Sequence, residues 1–325
     1  MLPSVQHPRG DAPSLSDSIG SFAFSGHQSF ALRIPWLPKA VEAVIRGQDP
    51  FSDTRKGTEI LGVGKNMVEA LNCWVEFFCV LEYDEKRKIT CTEFGRLVLD
   101  EDGYDPYLED EQTLWLLHWH AVTRSMRKLF AWQWLFNLHA ENEFTYNEAL
   151  LIFKKKVEGY PRPLSEVTLK QHLDALLNTY LQSPTTELGI VAEDALDSPL
   201  AALGLIQQGE SRQGINGKDT LYLVDVGLKQ TISDQLFRFC LHDWWNRFQR
   251  KEETVSYRDI CHAENSPGRV FRIPEREIHE RLQRLAMEWP KEFSLIESNN
   301  QRKVRRTYTP LKIYSLLRDV YHRSS

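Results

Sequence analysis

Residues 54–99 carry two apolar stripes of helical spacing, parted only by Gly62-Val63-Gly64 and followed at once by a polar-tipped hairpin pattern. Few folds accommodate that succession. The spacing predicts a short helix over 54–61 and a longer one over 66–81, whose core face is Met67, Ala70, Leu71, Trp74, Phe77 and Phe78. Two helices joined by a tight Gly-containing turn make a helix-turn-helix. Residues 80–83 then read as a strand, 84–87 as a polar turn and 88–92 as the returning strand. Thr92 is placed to cap a further helix over 93–99. Upstream, residues 36–46 bring Trp36, Leu37, Ala40, Val41 and Val44 to one side of a helix. This order predicts a winged helix-turn-helix over residues 21–112, behind a flexible Ser-, Pro- and Asp-rich lead-in at 1–20.

In such units the first turn of the second helix meets the bases of the major groove. Here that turn holds Lys65, suited to phosphate or guanine, and Asn66, suited to adenine. Lys86, Arg87 and Lys88 on the hairpin are placed to reach the sugar-phosphate backbone. The plainer alternative has Asn66 capping its own helix and the unit serving as a scaffold.

The rest of the chain predicts a mainly α fold with small β hairpins (α+β). A helical middle region spans 113–230. Within it, residues 114–138 concentrate Trp115, Trp119, Phe130, Trp132, Trp134 and Phe136, which at helical spacing read as core; the sharper alternative is a base-stacking platform. Helices follow over 146–156 and 166–180, the second with Ser165 as cap, an apolar face of Val167, Leu169, Leu173, Leu176 and Leu177, and Lys170, Gln171 and His172 as its polar side. This pair is a candidate second helix-turn-helix. Residues 198–206 and 221–224 read as strands around a flexible Gly-rich loop, 209–217.

A C-terminal winged-helix-like module spans 231–325, with helices over 236–248, 256–263 and 275–287 and a turn at Ser266-Pro267-Gly268. Strands over 293–297 and 304–308 flank a basic tip, 298–303, with Arg302 and Lys303; Arg305 and Arg306 extend the charge. A helix with Leu311, Leu316 and Leu317 closes the chain. The tip suits phosphate contacts; the alternative is an ordinary solvated wing.

Charge supports a local basic surface, not a uniformly basic protein. The chain of 325 residues has 40 Lys and Arg against 45 Asp and Glu, net −5. Residues 268–325 hold 13 Lys and Arg against 7 Asp and Glu, net +6, which leaves −11 for the rest. A patch of this kind binds polyanions without net positive charge. No apolar run is long enough for a membrane span, and no apolar signal core opens the chain. The 5 cysteines are odd in number and unpaired in spacing, which fits a reducing cytoplasm.

Motifs of enzyme chemistry are sparse. Gly57 and Gly62 have a Walker-type gap, but Val63 stands where the lysine is needed. His118 and His120 are two apart and cannot both ligate from one face of a helix. There is no His-Glu-x-x-His, no Cys-x-x-Cys and no Glu-x-Lys. The acidic run over 100–112 reads as a solvated segment, with a divalent-ion site as its alternative. No catalytic set emerges, and no cofactor is evident; Mg or Mn enters only if the chain cuts DNA.

Residues 24–39 set the polar side chains His27, Gln28 and Arg33 among large apolar groups. Such groups need partners when buried, so they form either an internal network or an anion-contact site, with the structural role favoured. Gly26-His27-Gln28-Ser29-Phe30, Arg33 and Trp36-Leu37-Pro38-Lys39, followed by residues 61–68 (Leu-Gly-Val-Gly-Lys-Asn-Met-Val), resemble a bacterial family of unknown function. Its first motif usually has Glu-Thr where this chain has Gln28-Ser29; an element over 198–206 extends the resemblance to roughly residues 22–320. The resemblance implies a component of the single-strand DNA phosphorothioation system of phage defence, which binds and nicks DNA. It also implies partners: a cysteine desulfurase, an ATPase and an ATP-pyrophosphatase-like sulfur carrier. No nuclease residues of that family map onto this chain. A scaffold subunit bridging sulfur-transfer partners and a transcription regulator are the alternatives.

Overall fold

The computed structural model describes residues 22–123, 127–160, 163–182, 198–214, 217–298, 301–310 and 312–322. The predicted lead-in 1–20 lies outside them. The first set of elements is α1 (Trp36–Ile45), α2 (Thr54–Leu61), α3 (Lys65–Phe77), β1 (Leu81–Tyr83), β2 (Ile89–Cys91) and α4 (Glu93–Leu99). Local chemistry sets their limits. The Asp53 carboxylate accepts from the Arg55 and Lys56 amides and opens α2; Gly62, left-handed at φ 67°, ends it. Thr92 accepts from the Gly95 amide at 2.9 Å and starts α4. α3 stops short of the expected residue 81 because Cys79 turns left-handed at φ 56°, which releases the chain into the antiparallel pair Leu81↔Cys91 and Tyr83↔Ile89.

The aromatic stretch builds the centre. In α5 (Glu111–Thr123) every residue from Gln112 onward is buried, as expected of a helix apolar on nearly all sides. α6 (Phe130–Gln133) runs into a π-helical turn, Trp134–Leu138. All six aromatic residues predicted as core are buried here, so the stacking-platform alternative fails: no base reaches these rings. The chain continues through β3 (Glu143–Thr145), α7 (Tyr146–Val157), α8 (Glu166–Tyr180), β4 (Ile206–Gln208), β5 (Arg212–Gly214), β6 (Gly217–Asp219) and β7 (Leu221–Val224). β3, β7 and β4 form one antiparallel sheet in that order, and β5 pairs with β6.

Several expectations for this region change. The predicted strand over 198–206 is a 3-10 turn, Pro199–Leu203, ended by left-handed Gly204, because Pro199 suits a first helical turn and only Ile206 onward pairs. The supposed flexible loop 209–217 carries the β5–β6 hairpin. Val167 is 62% exposed, and His172, expected on the polar side, is fully buried.

The last set is α9 (Asp234–Phe248), β8 (Thr254–Ser256), α10 (Tyr257–His262), α11 (Pro267–Phe271), α12 (Glu275–Glu288), β9 (Phe293–Ser298), β10 (Gln301–Arg306) and α13 (Leu317–Tyr321). The sheet order is β8-β10-β9, all antiparallel. Ser266 caps α11 instead of ending a plain turn. β10 begins at Gln301, so part of the predicted tip 298–303 is strand; residues 299–300 and Leu311 lie outside the described residues. One continuous apolar core runs from Phe22 to Val320.

Gly57 shows how tightly α2 meets its neighbours: a Cβ there would lie 2.2 Å from the Pro50 carbonyl oxygen and 2.7 Å from Val68. Gly57→Ala is therefore expected to destabilise by about 1–3 kcal/mol, the usual range for overpacking, read as a lower urea midpoint at unchanged slope. An unchanged midpoint would show that α2 can shift freely.

Candidate nucleic-acid interface

At the start of α3 the N-cap is Gly64, which offers no side chain. Asn66 is the second residue of the helix and makes no cap, so the capping alternative falls away. Lys65 and Asn66 are both exposed. At the hairpin, Asp84 Oδ1 accepts from the backbone amides of Lys86 at 2.9 Å and Lys88 at 2.8 Å. That bond set closes the turn, with Arg87 left-handed at φ 59°, and leaves Lys86, Arg87 and Lys88 exposed.

The β10 cations divide by strand alternation. Side chains two apart share a face, so Arg302, Val304 and Arg306 lie on one face and Lys303 and Arg305 on the other. Val304 is fully buried. Arg306 follows it inward: its guanidinium sits 4.9 Å from the Trp245 ring centroid and donates to Asn246 Oδ1. Burial lowers its pKa to about 10. Arg306 is thus built into the fold, and the free basic edge is smaller than the sequence suggests. Arg305 is exposed, Lys303 half-buried, and Arg302 leans over the mouth of a cleft, 4.0 Å from Glu297. That cleft, between α10, α12 and β10, has a volume of about 730 Å³. Nothing in the residue pattern signals it, because its walls come from three elements.

The segment around Gly26 carries His27 into an internal network, while Gln28 stays exposed and Arg33 half-buried. Gly26, Gln28 and Ser29 all have positive φ (115°, 49° and 64°). The loop turns His27 inward, where Nε2 lies 3.0 Å from His172 Nδ1. His172 Nε2 accepts from the Ala131 amide at 3.0 Å. Neutral His172 therefore carries its proton on Nδ1 and donates to His27 Nε2, which leaves the His27 proton on Nδ1. The His27 ring stacks between Trp74 and His172, at 5.9 and 5.3 Å. Trp74 Nε1 donates to the Phe30 carbonyl at 3.1 Å, Gln28 donates to Glu69 at 2.9 Å, and Arg33 lies 5.9 Å from the Trp36 ring. The motif ties the entry of the chain to α3 and α8. The partner His172 is invisible in the sequence, 145 residues from His27.

A mixed α/β protein, mainly helical with small antiparallel sheets, is the class these observations define. The chain belongs to the DUF4007 family, described as a protein of unknown function, whose model matches residues 24–321. It is similar to two solved SspB structures. A magnesium ion-bound SspB is 27% identical with a TM-score of 0.79, covering 95% of this chain and 90% of that one. A second SspB structure is 27% identical with a TM-score of 0.76, covering 93% and 88%. No curated protein matches the chain.

Magnesium needs converging oxygen ligands. Among the described residues no group of three or more His, Cys, Asp and Glu side chains converges to hold a metal. In the acidic run, Asp105 accepts from the Glu109 amide at 2.8 Å and the Asp110 amide at 3.1 Å, and Asp110 from the Gln112 amide at 2.8 Å. These carboxylates are spent on turns and on the start of α5, so the residues do not fit the ion here. No helix among the described residues is long and apolar enough to cross a membrane.

Burial, with the Arg127 charge adding to it, lowers the His27 pKa to about 4, and burial pushes His172 well below its ordinary value. The unfolded chain takes up these protons near pH 6.5, before the folded one can. Stability is therefore complete above about pH 6.5 and falls as the pH drops toward 4. For His27 the loss is roughly 3 kcal/mol across that window. His27→Gln is expected to flatten the pH dependence of urea unfolding by that order; identical slopes would refute a neutral buried His27.

Proposed function

We propose that this chain is the DNA-binding component of a bacterial DNA phosphorothioation system of phage defence, built from three winged-helix units over residues 21–112, 113–230 and 231–325. The observation that carries the reading is the sheet order β8-β10-β9, with α10, α11 and α12 inserted between its first two strands in sequence. A first strand pairing with the third is the arrangement that leaves the last hairpin projecting as a wing. The middle elements repeat it as β3-β7-β4 with α7 and α8 between β3 and β4. There the β5–β6 hairpin is the wing, and Arg212 on it pairs with Glu143 at 2.8 Å. The similarity to SspB and the family motif support the system. Its cysteine desulfurase, ATPase and ATP-pyrophosphatase-like carrier are the partners in this proposal, and the cytoplasm is its place of action.

Lys65, Asn66, Lys86, Arg87 and Lys88 would hold DNA at the first unit, and Arg302, Lys303 and Arg305 at the last. Arg306 would act only by supporting β10. Phosphate contacts supply affinity that falls steeply with salt, about 0.7–0.9 in the log-log slope per contact. Charge reversal at Arg302, Lys303 and Arg305 is expected to weaken oligonucleotide binding and to reduce that slope by about 2, read by fluorescence anisotropy between low and physiological salt. Unchanged affinity would remove the last unit from the interface. Reversal at Lys86, Arg87 and Lys88 tests the first unit in the same way.

The magnesium ion in the SspB neighbour favours a second reading, in which the chain also nicks DNA. Supercoiled plasmid incubated with pure protein and Mg²⁺ or Mn²⁺ separates the two. A relaxed circle that a chelator abolishes means nicking; a mobility shift on intact plasmid means binding alone. Copurification with the sulfur-transfer proteins and no shift at all would favour the scaffold.

A further inference from the structure

The cleft between α10, α12 and β10 is lined by Tyr257, Arg258, Cys261, His262, Glu275, Arg276, His279 and Arg302. Two of its polar atoms stand out. The Tyr257 hydroxyl and His279 Nδ1 are buried and have no hydrogen-bond partner among the described residues. Tyr257 as a whole is 9% exposed. Native structures seldom leave such atoms unpaired, and each one needs an explanation. The two rings lie 5.6 Å apart at 49°.

The rim is cationic. Arg258 and Arg276 are exposed, and the Arg302 side chain is 62% exposed. Strand alternation puts Arg302 on the cleft side of β10, on the same face as buried Val304. Two carboxylates share the region, but each has a partner: Glu275 lies 2.6 Å from His262 Nε2, and Glu297 lies 4.0 Å from Arg302. Arg276 is partly engaged by Glu280 at 2.9 Å. Arg258 has no such contact among the described residues and lines the cleft with its charge uncommitted.

We infer that this cleft receives one nucleoside monophosphate unit of a DNA strand, its phosphate on Arg258 and Arg302 and its base against Tyr257 and His279. A volume of about 730 Å³ is several times what a bare phosphate needs and lies within the usual range for small-ligand pockets. Guanidinium groups match phosphate oxygens by paired donors. The Tyr257 hydroxyl and His279 Nδ1 at the floor find partners on the base edge. A base can reach this depth only when it leaves its stack, so the cleft selects single-stranded or extruded nucleotides. The inference rests on the DNA-binding reading and specifies one subsite within it.

The test is calorimetric titration of the full chain with thymidine 5′-monophosphate, with inorganic phosphate and with a ten-nucleotide single strand. The expected result is saturable binding of the mononucleotide, at least tenfold tighter than phosphate. Tyr257→Phe should weaken it about tenfold with the urea midpoint unchanged, and Arg258→Ala should weaken mononucleotide and phosphate alike. Phosphate binding as tightly as the mononucleotide would overturn the base-holding role, and the same affinity in Tyr257→Phe and Arg258→Ala would overturn the site. Failure of the two readings is distinguishable. Loss of the mononucleotide with retained binding of the strand overturns only the cleft; no binding of the strand by the unaltered chain overturns the DNA reading itself.

Discussion

The burial of α5 on all sides is the constraint on which the rest of the molecule depends. A helix with no solvent face needs partners for the polar side chains it carries, and α5 finds several on both flanks. His118 Nε2 lies 3.0 Å from the Val270 carbonyl, which can only accept, so Nε2 carries the proton and Nδ1 accepts from the Tyr180 hydroxyl at 2.7 Å. Trp119 donates to Asp243 and Trp115 to Thr231, both at 2.9 Å. Thr113 meets the Tyr321 hydroxyl at 2.8 Å. One helix thus fixes α8, α9, α11 and α13 in register with one another. Burial holds the His118 pKa down to about 4, which keeps the ring neutral and its tautomer single.

Around that helix the chain repeats one device: a pair of helices set against a small antiparallel sheet, with the last hairpin carrying charge. Because strands alternate their faces, the cations of one strand can divide between support and solvent. β10 makes the division plain. Arg306 braces Trp245, Val304 fills the core, and Arg305 remains exposed. Exposed charges act over about a Debye length, roughly 8 Å at physiological salt. Local basic edges can therefore work on a chain whose net charge is −5.

Much of the local structure is legible in the residues. Thr92 and Ser165 cap helices as read, because a short oxygen-bearing side chain satisfies amides that the helix leaves unpaired. The aromatic run reads as core, and it is core. Local pattern misleads where a distant contact outweighs local preference. His172 has the sequence position of a polar-face residue, but His27 and the Ala131 amide give it partners inside the protein. Residues 198–203 have the apolar content of a strand, yet they pair with none and Pro199 starts a turn. The tip at 298–303 loses residues to strand because β9 offers pairing as far as Ser298. The cleft at Tyr257 is not legible at all, since α10, α12 and β10 meet only after folding.

By itself the sequence determined most of the helices, the caps at Thr92 and Ser165, the first and last hairpins and the core character of the aromatic run. These depend on interactions within a few residues and on the periodicity of apolar groups. Only the tertiary structure decided which polar groups would be buried, which cations would stay exposed and where a cavity would open. Those outcomes depend on contacts between residues far apart in the chain, whose energies no local pattern records.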